Sequence, residues 1–133
     1  YQRMIETSLK QMEEFVPAMA SGDYQRIPQD QSKASYWRKR GKKDGQIDWR
    51  MSAGSIHNLV RALASPYPGA HFRFSDMDYK VWSTSLVDDV PETAEPGKIV
   101  DLRDSDPVVK CGRGGLRLVE TSPRLEADVG MYL

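Results

Sequence analysis

Residues 56–72, IHNLVRALASPYPGAHF, carry the chain from a helical to an extended pattern. Apolar residues first repeat at i, i+3, i+4 and i+7, the spacing of one helix face, at Ile56, Leu59, Val60 and Leu63. Pro66 and Pro68 follow, and each lacks a backbone N–H and biases the preceding residue toward extended geometry. Gly69 can adopt backbone angles that other residues avoid. The segment therefore predicts a helix, N-capped by Ser52, that ends at a turn and leads into a strand.

An earlier helix and a linker are predicted before this segment. Apolar residues recur at spacings of four and three, typical of one helix face, at Ile5, Leu9, Met12, Val16 and Met19. Pro17 is expected to kink or end this helix nearby, and Ser21-Gly22-Asp23 marks its end. Residues 24–50 are polar and lack either period for most of their length, so they are interpreted as an ordered linker. Trp49 is expected to anchor that linker on a core.

Beyond residue 70 the period of the pattern changes to two. Short runs rich in β-branched and aromatic residues predict strands at 72–74, 79–84, 98–102, 108–111 and 116–119. The loop Gly112–Gly115 is expected to form a hairpin turn, because it lacks the lysine and the following helix of a phosphate-binding loop. The predicted fold class is α+β: an N-terminal amphipathic helix and linker, a second helix, and a small antiparallel barrel or sandwich.

Composition limits the classes of function. The chain has 133 residues, 39% of them hydrophobic, and no apolar stretch long enough to cross a bilayer. Cys111 is the single cysteine, so no internal disulfide can form, and two histidines cannot supply a metal cluster of the usual spacing. We therefore expect no metal site, no membrane span and a cytoplasmic location.

The formal net charge of zero conceals an asymmetry along the chain. Residues 1–72 carry 11 Lys and Arg against 7 Asp and Glu, whereas residues 73–133 carry 8 against 12. A surface that binds tRNA needs excess positive charge to neutralise phosphates. The acidic second part therefore disfavours a tRNA partner.

The basic run YWRKRGKKDGQIDW, residues 36–49, is the first candidate binding segment. Tyr36 and Trp37 could stack on a base while Arg38 and Arg40 pair with phosphates. A solvated charged loop is the competing interpretation.

Polar residues on the second helix give a further candidate. Asn58 and Arg61 lie one turn apart and share a helix face, which serves either ligand contact or, as we favour, attachment of the helix to the linker. His57 and His71 have no Ser, Cys or acidic partner at a catalytic spacing and are interpreted as structural or surface residues. The residues alone predict no catalytic group.

Two segments, PQDQSKASYWRKRGKKDGQIDW and IHNLVRALASPYPGAHF, closely resemble the junction between the catalytic and C-terminal domains of 10-formyltetrahydrofolate-dependent formyltransferases. This family includes methionyl-tRNA formyltransferase and N-formyltransferases that act on nucleotide-linked amino sugars. The resemblance covers about residues 1–75. The later segments KVW, residues 80–82, and VKCGRGGLRLVE, residues 109–120, look like the family's small OB-type barrel.

The resemblance implies a division of the chain. Residues 1–50 would be the terminal helix and crossover of a catalytic domain, and residues 51–133 the C-terminal domain with an OB-like barrel. In the family, an Asn, a His and an Asp of the N-terminal Rossmann-like domain perform the chemistry, and that domain binds 10-formyltetrahydrofolate. Neither His57 nor His71 lies in the family's Asn-x-His-Ser-Leu-Leu-Pro motif. The 133-residue chain alone is therefore expected to be inactive.

The resemblance also suggests partners: the missing catalytic domain, and an acceptor amine on either a nucleotide-linked sugar or methionyl-tRNA. The candidate substrate-binding residues are Tyr36, Trp37, Arg38, Arg40, Asn58 and Arg61. An alternative from another class is a non-catalytic OB-type module that mediates binding or oligomerisation, for example as a homodimer.

Overall fold

The computed structural model describes residues 2–133, which divide into two compact units. The first ends at Arg38, and the second is Lys39–Leu133. The family-based boundary at residue 51 falls inside the second unit, which also contains residues 39–50. Among residues 2–133, no helix is both long enough and apolar enough to cross a membrane.

Helix α1, Gln2–Ser21, is the main element of the first unit and confirms the predicted N-terminal helix. The helix continues past Pro17 and ends before Gly22, whose φ is +73°. The predicted end at Ser21-Gly22-Asp23 is therefore confirmed, and the helix does not stop at Pro17 itself. A proline removes only one N–H donor, and here the carbonyl left without that donor lies on an exposed helix. A short 3₁₀ turn, Gln31–Lys33, follows, and the Asp30 carboxylate accepts the Ser32 N–H at its start.

Helix α2, Ala53–Ala62, begins the α+β part of the second unit. The predicted cap is confirmed, because the Ser52 hydroxyl accepts the Ser55 N–H at 3.1 Å. The helix closes where the Leu63 N–H donates to Leu59, and the chain then reverses at Gly69, where φ is +86°. The local pattern of helix, proline turn and strand thus forms as predicted.

Five strands form one antiparallel sheet in the order β1-β2-β5-β4-β3. Their bounds are Ala70–Phe74 (β1), Met77–Val87 (β2), Ile99–Arg103 (β3), Asp106–Lys110 (β4) and Gly115–Ser122 (β5). The α+β class is confirmed. In the described part of the chain β1 and β3 are not paired with each other, so the predicted barrel is not closed. The OB-type label stays a prediction.

Non-strand segments occupy the two outer edges of the sheet instead. Beside β1, the Ile47 N–H donates to the His71 carbonyl at 2.7 Å. Beside β3, the Ile99 N–H donates to Met131, and the Gly130 N–H donates to Ile99, both at 2.8 Å. Because these segments use the edge donors and acceptors, β1 and β3 do not need each other to satisfy their backbones.

The core lies between α2 and one face of the sheet. Ile56 and Val60 of α2 are fully buried there. Trp49 is only 8% exposed and packs edge-on against Phe72, which stacks on Tyr79. The prediction that Trp49 anchors the linker is therefore confirmed.

The β4–β5 connection is the predicted hairpin. Lys110 pairs with Gly115, and Gly114 adopts a φ of +76° in the turn. A side chain at Gly112 would overlap the Arg50 carbonyl, and the Gly112 N–H donates to Trp49 at 2.9 Å. The hairpin thus fastens the segment that carries Trp49.

Candidate functional site

The second unit contains an open cleft of about 1130 Å³. Its walls come from three places: residues 40–45, the end of α2 with the proline turn, and the neighbouring strands β1 and β2. Ligand sites commonly occupy concavities of roughly 300–1,000 Å³ that combine apolar walls with a few polar groups. This cleft is therefore the candidate site.

Apolar and aromatic side chains form one part of the cleft. Leu59 and Leu63 line it from α2, Tyr67 lines it from the proline turn, and Trp82 lines it from β2. A Cβ built on Gly69 would lie 3.0 Å from the Trp82 ring, so the indole rests directly against the glycine backbone. The positive φ at Gly69 and this close approach both require glycine.

Basic side chains surround the aromatic part. Lys80 Nζ lies 5.5 Å from the centroid of the Trp82 ring, within the range of a cation–π contact. Lys42 Nζ pairs with Asp78 Oδ2 at 3.1 Å. This hydrogen bond from Lys42 is the main reason that the pKa of Asp78 is lowered. Within residues 2–133, neither Arg40 nor Lys80 forms an ion pair.

A tight turn positions the basic residues of 40–45. Asp44 Oδ2 accepts the Gly41 N–H at 2.7 Å within the 3₁₀ helix Lys42–Gly45. Gly45 is buried, and a Cβ there would lie 3.0 Å from Leu63 Cδ1. The segment is therefore held close to α2, with Arg40 and Lys42 lining the cleft.

Comparison with known families gives this unit an assignment. A family model described as the formyl transferase C-terminal domain matches residues 39–128. The chain belongs to this family. The match begins at the first residue of the second unit, so the compact fold and the family domain coincide there.

The formyl transferase C-terminal domain also has structural neighbours. The crystal structure of HypX from Aquifex aeolicus in complex with tetrahydrofolic acid is similar at a TM-score of 0.60 and 21% identity. A HypX variant from the same organism gives a TM-score of 0.61 and 21% identity. Both matches cover 89% of this chain but 20% of the HypX chain. At this identity the likeness shows the shared fold, and the chain spans about a fifth of HypX.

The structure places the sequence-predicted binding residues in three locations. Tyr36 and Trp37 are 96% and 83% exposed and belong, with Arg38, to the first unit. Arg40 lines the cleft of the formyl transferase C-terminal domain. Asn58 and Arg61 are exposed on α2, where Arg61 Nη1 donates to Asn58 Oδ1 at 3.4 Å. The two share a helix face as predicted and do not line the cleft.

Sequence reasoning missed the contribution of β2. Tyr79 and Val81 are buried, whereas the alternate residues Lys80 and Trp82 line the cleft. The signal was present in the sequence, because successive residues of a strand point to opposite faces and residues two apart share a face. With Val81 facing the core, the next residue, Trp82, faces away from it.

The two histidines lie in different settings. His57 Nδ1 lies 2.8 Å from Thr84 Oγ1, which ties α2 to β2. His71 is half-buried in β1 and lines the cleft. Within residues 2–133 no group of three or more His, Cys, Asp or Glu residues is placed to hold a metal ion.

Cys111 is not suited to act as a nucleophile in this domain. The side chain is fully buried, and burial raises the pKa of its thiol to about 12. The thiolate is the reactive form of cysteine, so very little of it exists near neutral pH.

Proposed function

We propose that this chain is the C-terminal part of a formyltransferase that transfers a formyl group from 10-formyltetrahydrofolate to an acceptor amine. The observation that carries the proposal is the family match over residues 39–128, which coincides with a compact unit that has its own core. We also propose that the enzyme acts in the cytoplasm.

The proposed reaction is an acyl transfer. The acceptor nitrogen attacks the formyl carbon, a new C–N bond forms, the bond to N10 of the folate breaks, and the nitrogen loses a proton as tetrahydrofolate leaves. By resemblance, the Asn, His and Asp that manage the proton and the developing oxyanion belong to a catalytic domain outside these 133 residues. The folate site is assigned to that domain too.

Helix α1 supports the proposal of a catalytic-domain partner. Its periodic apolar residues are all exposed, from 42% at Ile5 to 58% at Met19. An amphipathic helix normally buries such a stripe against another element. We assign that surface to the catalytic domain.

The proposed acceptor is a nucleotide-linked amino sugar or methionyl-tRNA. The net acidic charge of residues 73–133 supports the sugar, because tRNA affinity depends on phosphate neutralisation. Retention of tRNA on filters at two salt concentrations separates these acceptors. Strong, salt-sensitive retention favours tRNA.

A formylation assay tests the proposed function. The product of the complete reading frame, supplied with 10-formyltetrahydrofolate and an amino-sugar nucleotide or methionyl-tRNA, should release tetrahydrofolate. The 133-residue chain is the matched control and should show no turnover. Turnover by these 133 residues alone would contradict the assignment of the catalytic groups to another domain. If the complete product shows no turnover with either acceptor, the proposed formyltransferase activity is wrong.

The second candidate function is a non-catalytic binding or oligomerisation module. It is favoured by the self-contained core of Lys39–Leu133, in which α2 and the sheet bury one another. The reading frame upstream of Tyr1 discriminates the two. A glycine-rich βα region followed by Asn-x-His-Ser-Leu-Leu-Pro supports the enzyme, and a start codon immediately before Tyr1 supports the module.

A further inference from the structure

We propose that the cleft lined by Arg40, Lys80 and Trp82 binds the nucleoside diphosphate group of a small ligand. The inference deepens the proposed function, on which it rests for the idea that the acceptor carries this group. The binding itself is a property of Lys39–Leu133 and can be measured without formyl transfer.

The aromatic part of the cleft suits a planar ring. Trp82 is half-exposed, and the backbone of Gly69 supports one side of its indole. Tyr67, which is 54% exposed, supplies a second aromatic surface on the cleft wall. Stacking of a base on an aromatic side chain contributes about 1–3 kcal/mol in known nucleotide-binding proteins. Exposed aromatic area in a concavity therefore has a physical use here.

The charged part of the cleft suits a polyanion attached to that ring. Three side chains of fixed positive charge line it, Arg40, Lys42 and Lys80, against the two carboxylates of Asp44 and Asp78. Lys42 is already paired with Asp78, so Arg40 and Lys80 are the cations available to a ligand. An arginine can donate two parallel hydrogen bonds to phosphate oxygens, and a lysine supplies a compact point charge.

The position of Lys80 connects the two parts. Its ammonium group lies 5.5 Å from the Trp82 ring centroid. One nucleotide can therefore place its phosphate at Lys80 and its base near the indole. The charge balance also restricts the ligand. Two available cations match the charge of one diphosphate, whereas tight binding of a nucleic-acid backbone depends on many more phosphate contacts.

Binding of uridine diphosphate to the 133-residue chain tests the inference. Isothermal titration at low salt should show saturable binding of one equivalent, with uridine and inorganic pyrophosphate each binding at least tenfold more weakly. Backbone NMR shifts on titration should concentrate at residues 40–45, 67–71 and 80–82. Folinic acid, which carries a ring and carboxylates, serves as the competing ligand.

Variants separate the ring contact from the charge contact. Arg40→Gln and Lys80→Gln should each weaken uridine diphosphate binding about tenfold, whereas Arg113→Gln, an exposed arginine of the β4–β5 hairpin, should leave it unchanged. Trp82→Leu should weaken the binding of uridine diphosphate but not the binding of pyrophosphate. If Trp82→Leu fails to fold by circular dichroism, Tyr67→Ala replaces it, since Tyr67 is exposed.

Several results would overturn the inference. They are no saturable binding of uridine diphosphate, equal binding of pyrophosphate and uridine diphosphate, or tighter binding of folinic acid than of uridine diphosphate. A loss of binding in Arg113→Gln as large as that in Arg40→Gln or Lys80→Gln would also overturn it. Failure here is distinguishable from failure of the proposed enzyme. Formylation by the complete product without nucleotide binding to the cleft overturns the cleft site alone, and nucleotide binding without any formylation overturns the enzyme alone.

Discussion

Replacement of Trp49 by alanine should strongly destabilise the second unit. Trp49 is 8% exposed, its ring centroid lies 5.4 Å from that of Phe72, and it covers the backbone at Gly97. Removal of the indole leaves a cavity among groups that the surrounding strands hold in place. The matched control is Trp37→Ala, because Trp37 is the same residue type at 83% exposure in the first unit.

The size of the effect follows from the burial. A buried Trp or Phe replaced by Ala costs about 3–5 kcal/mol in the free energy of unfolding. The unfolding entropy of about 2.1 cal/mol/K per residue amounts to about 0.2 kcal/mol/K over the length of Lys39–Leu133. The melting temperature should therefore fall by about 15–25 °C. An exposed substitution usually changes stability by less than about 0.5 kcal/mol, so Trp37→Ala should shift it by no more than about 3 °C.

Thermal unfolding followed by far-ultraviolet circular dichroism measures both variants under the same buffer and scan rate. If Trp49→Ala is unfolded at the lowest temperature, Trp49→Phe keeps part of the ring packing and should give a smaller loss. Equal melting temperatures for wild type and Trp49→Ala would refute the role of Trp49 as the anchor of residues 39–50.

Two further predictions concern ionisable groups. Side-chain and backbone hydrogen bonds from Arg50 lower the pKa of Asp48 to about 2. Since the pKa is depressed in the folded state, the stabilisation is complete above pH 4 and is lost as the pH falls toward 2. Arg50→Gln should raise the Asp48 pKa only part of the way to 3.8, because the backbone donor remains, and a carboxyl-carbon NMR titration that finds no change would contradict this. The burial of Cys111 predicts slow labelling of the native chain by a disulfide reagent at pH 8 and one fast equivalent in urea; equal rates in both would contradict it.

Local sequence signals were sufficient for α2 and the turn that follows it. Ser52 supplies the cap, the apolar period supplies the buried face, and Pro66 prevents continuation, all within a few residues. The strand positions were also recognisable, although β2 extends to Val87 rather than Thr84. Its extension is paired with β5, and the register shifts near Ser83, a feature that depends on the partner strand and not on the local period.

The cleft could not be predicted from local signals because its walls are distant in sequence. The Lys42–Asp78 pair joins residues 36 positions apart, and Trp82 meets the backbone of Gly69 only after β1 and β2 have paired. The basic run suggested an anion site, and Arg40 does line one wall. Which basic residues share a concavity with an aromatic ring is set by the packing of residues 40–45 against α2.

The pairing of residues 130–133 with β3 has a practical consequence for recombinant work on this domain. The Leu133 N–H donates to the Gly97 carbonyl at 2.9 Å, so the backbone takes part in the fold as far as this residue. Trimming these four residues would leave the Ile99 N–H and carbonyl open to strands of other molecules and so promote aggregation. Any affinity tag or fluorescent fusion attached to this domain should therefore leave residues 130–133 in place beside β3.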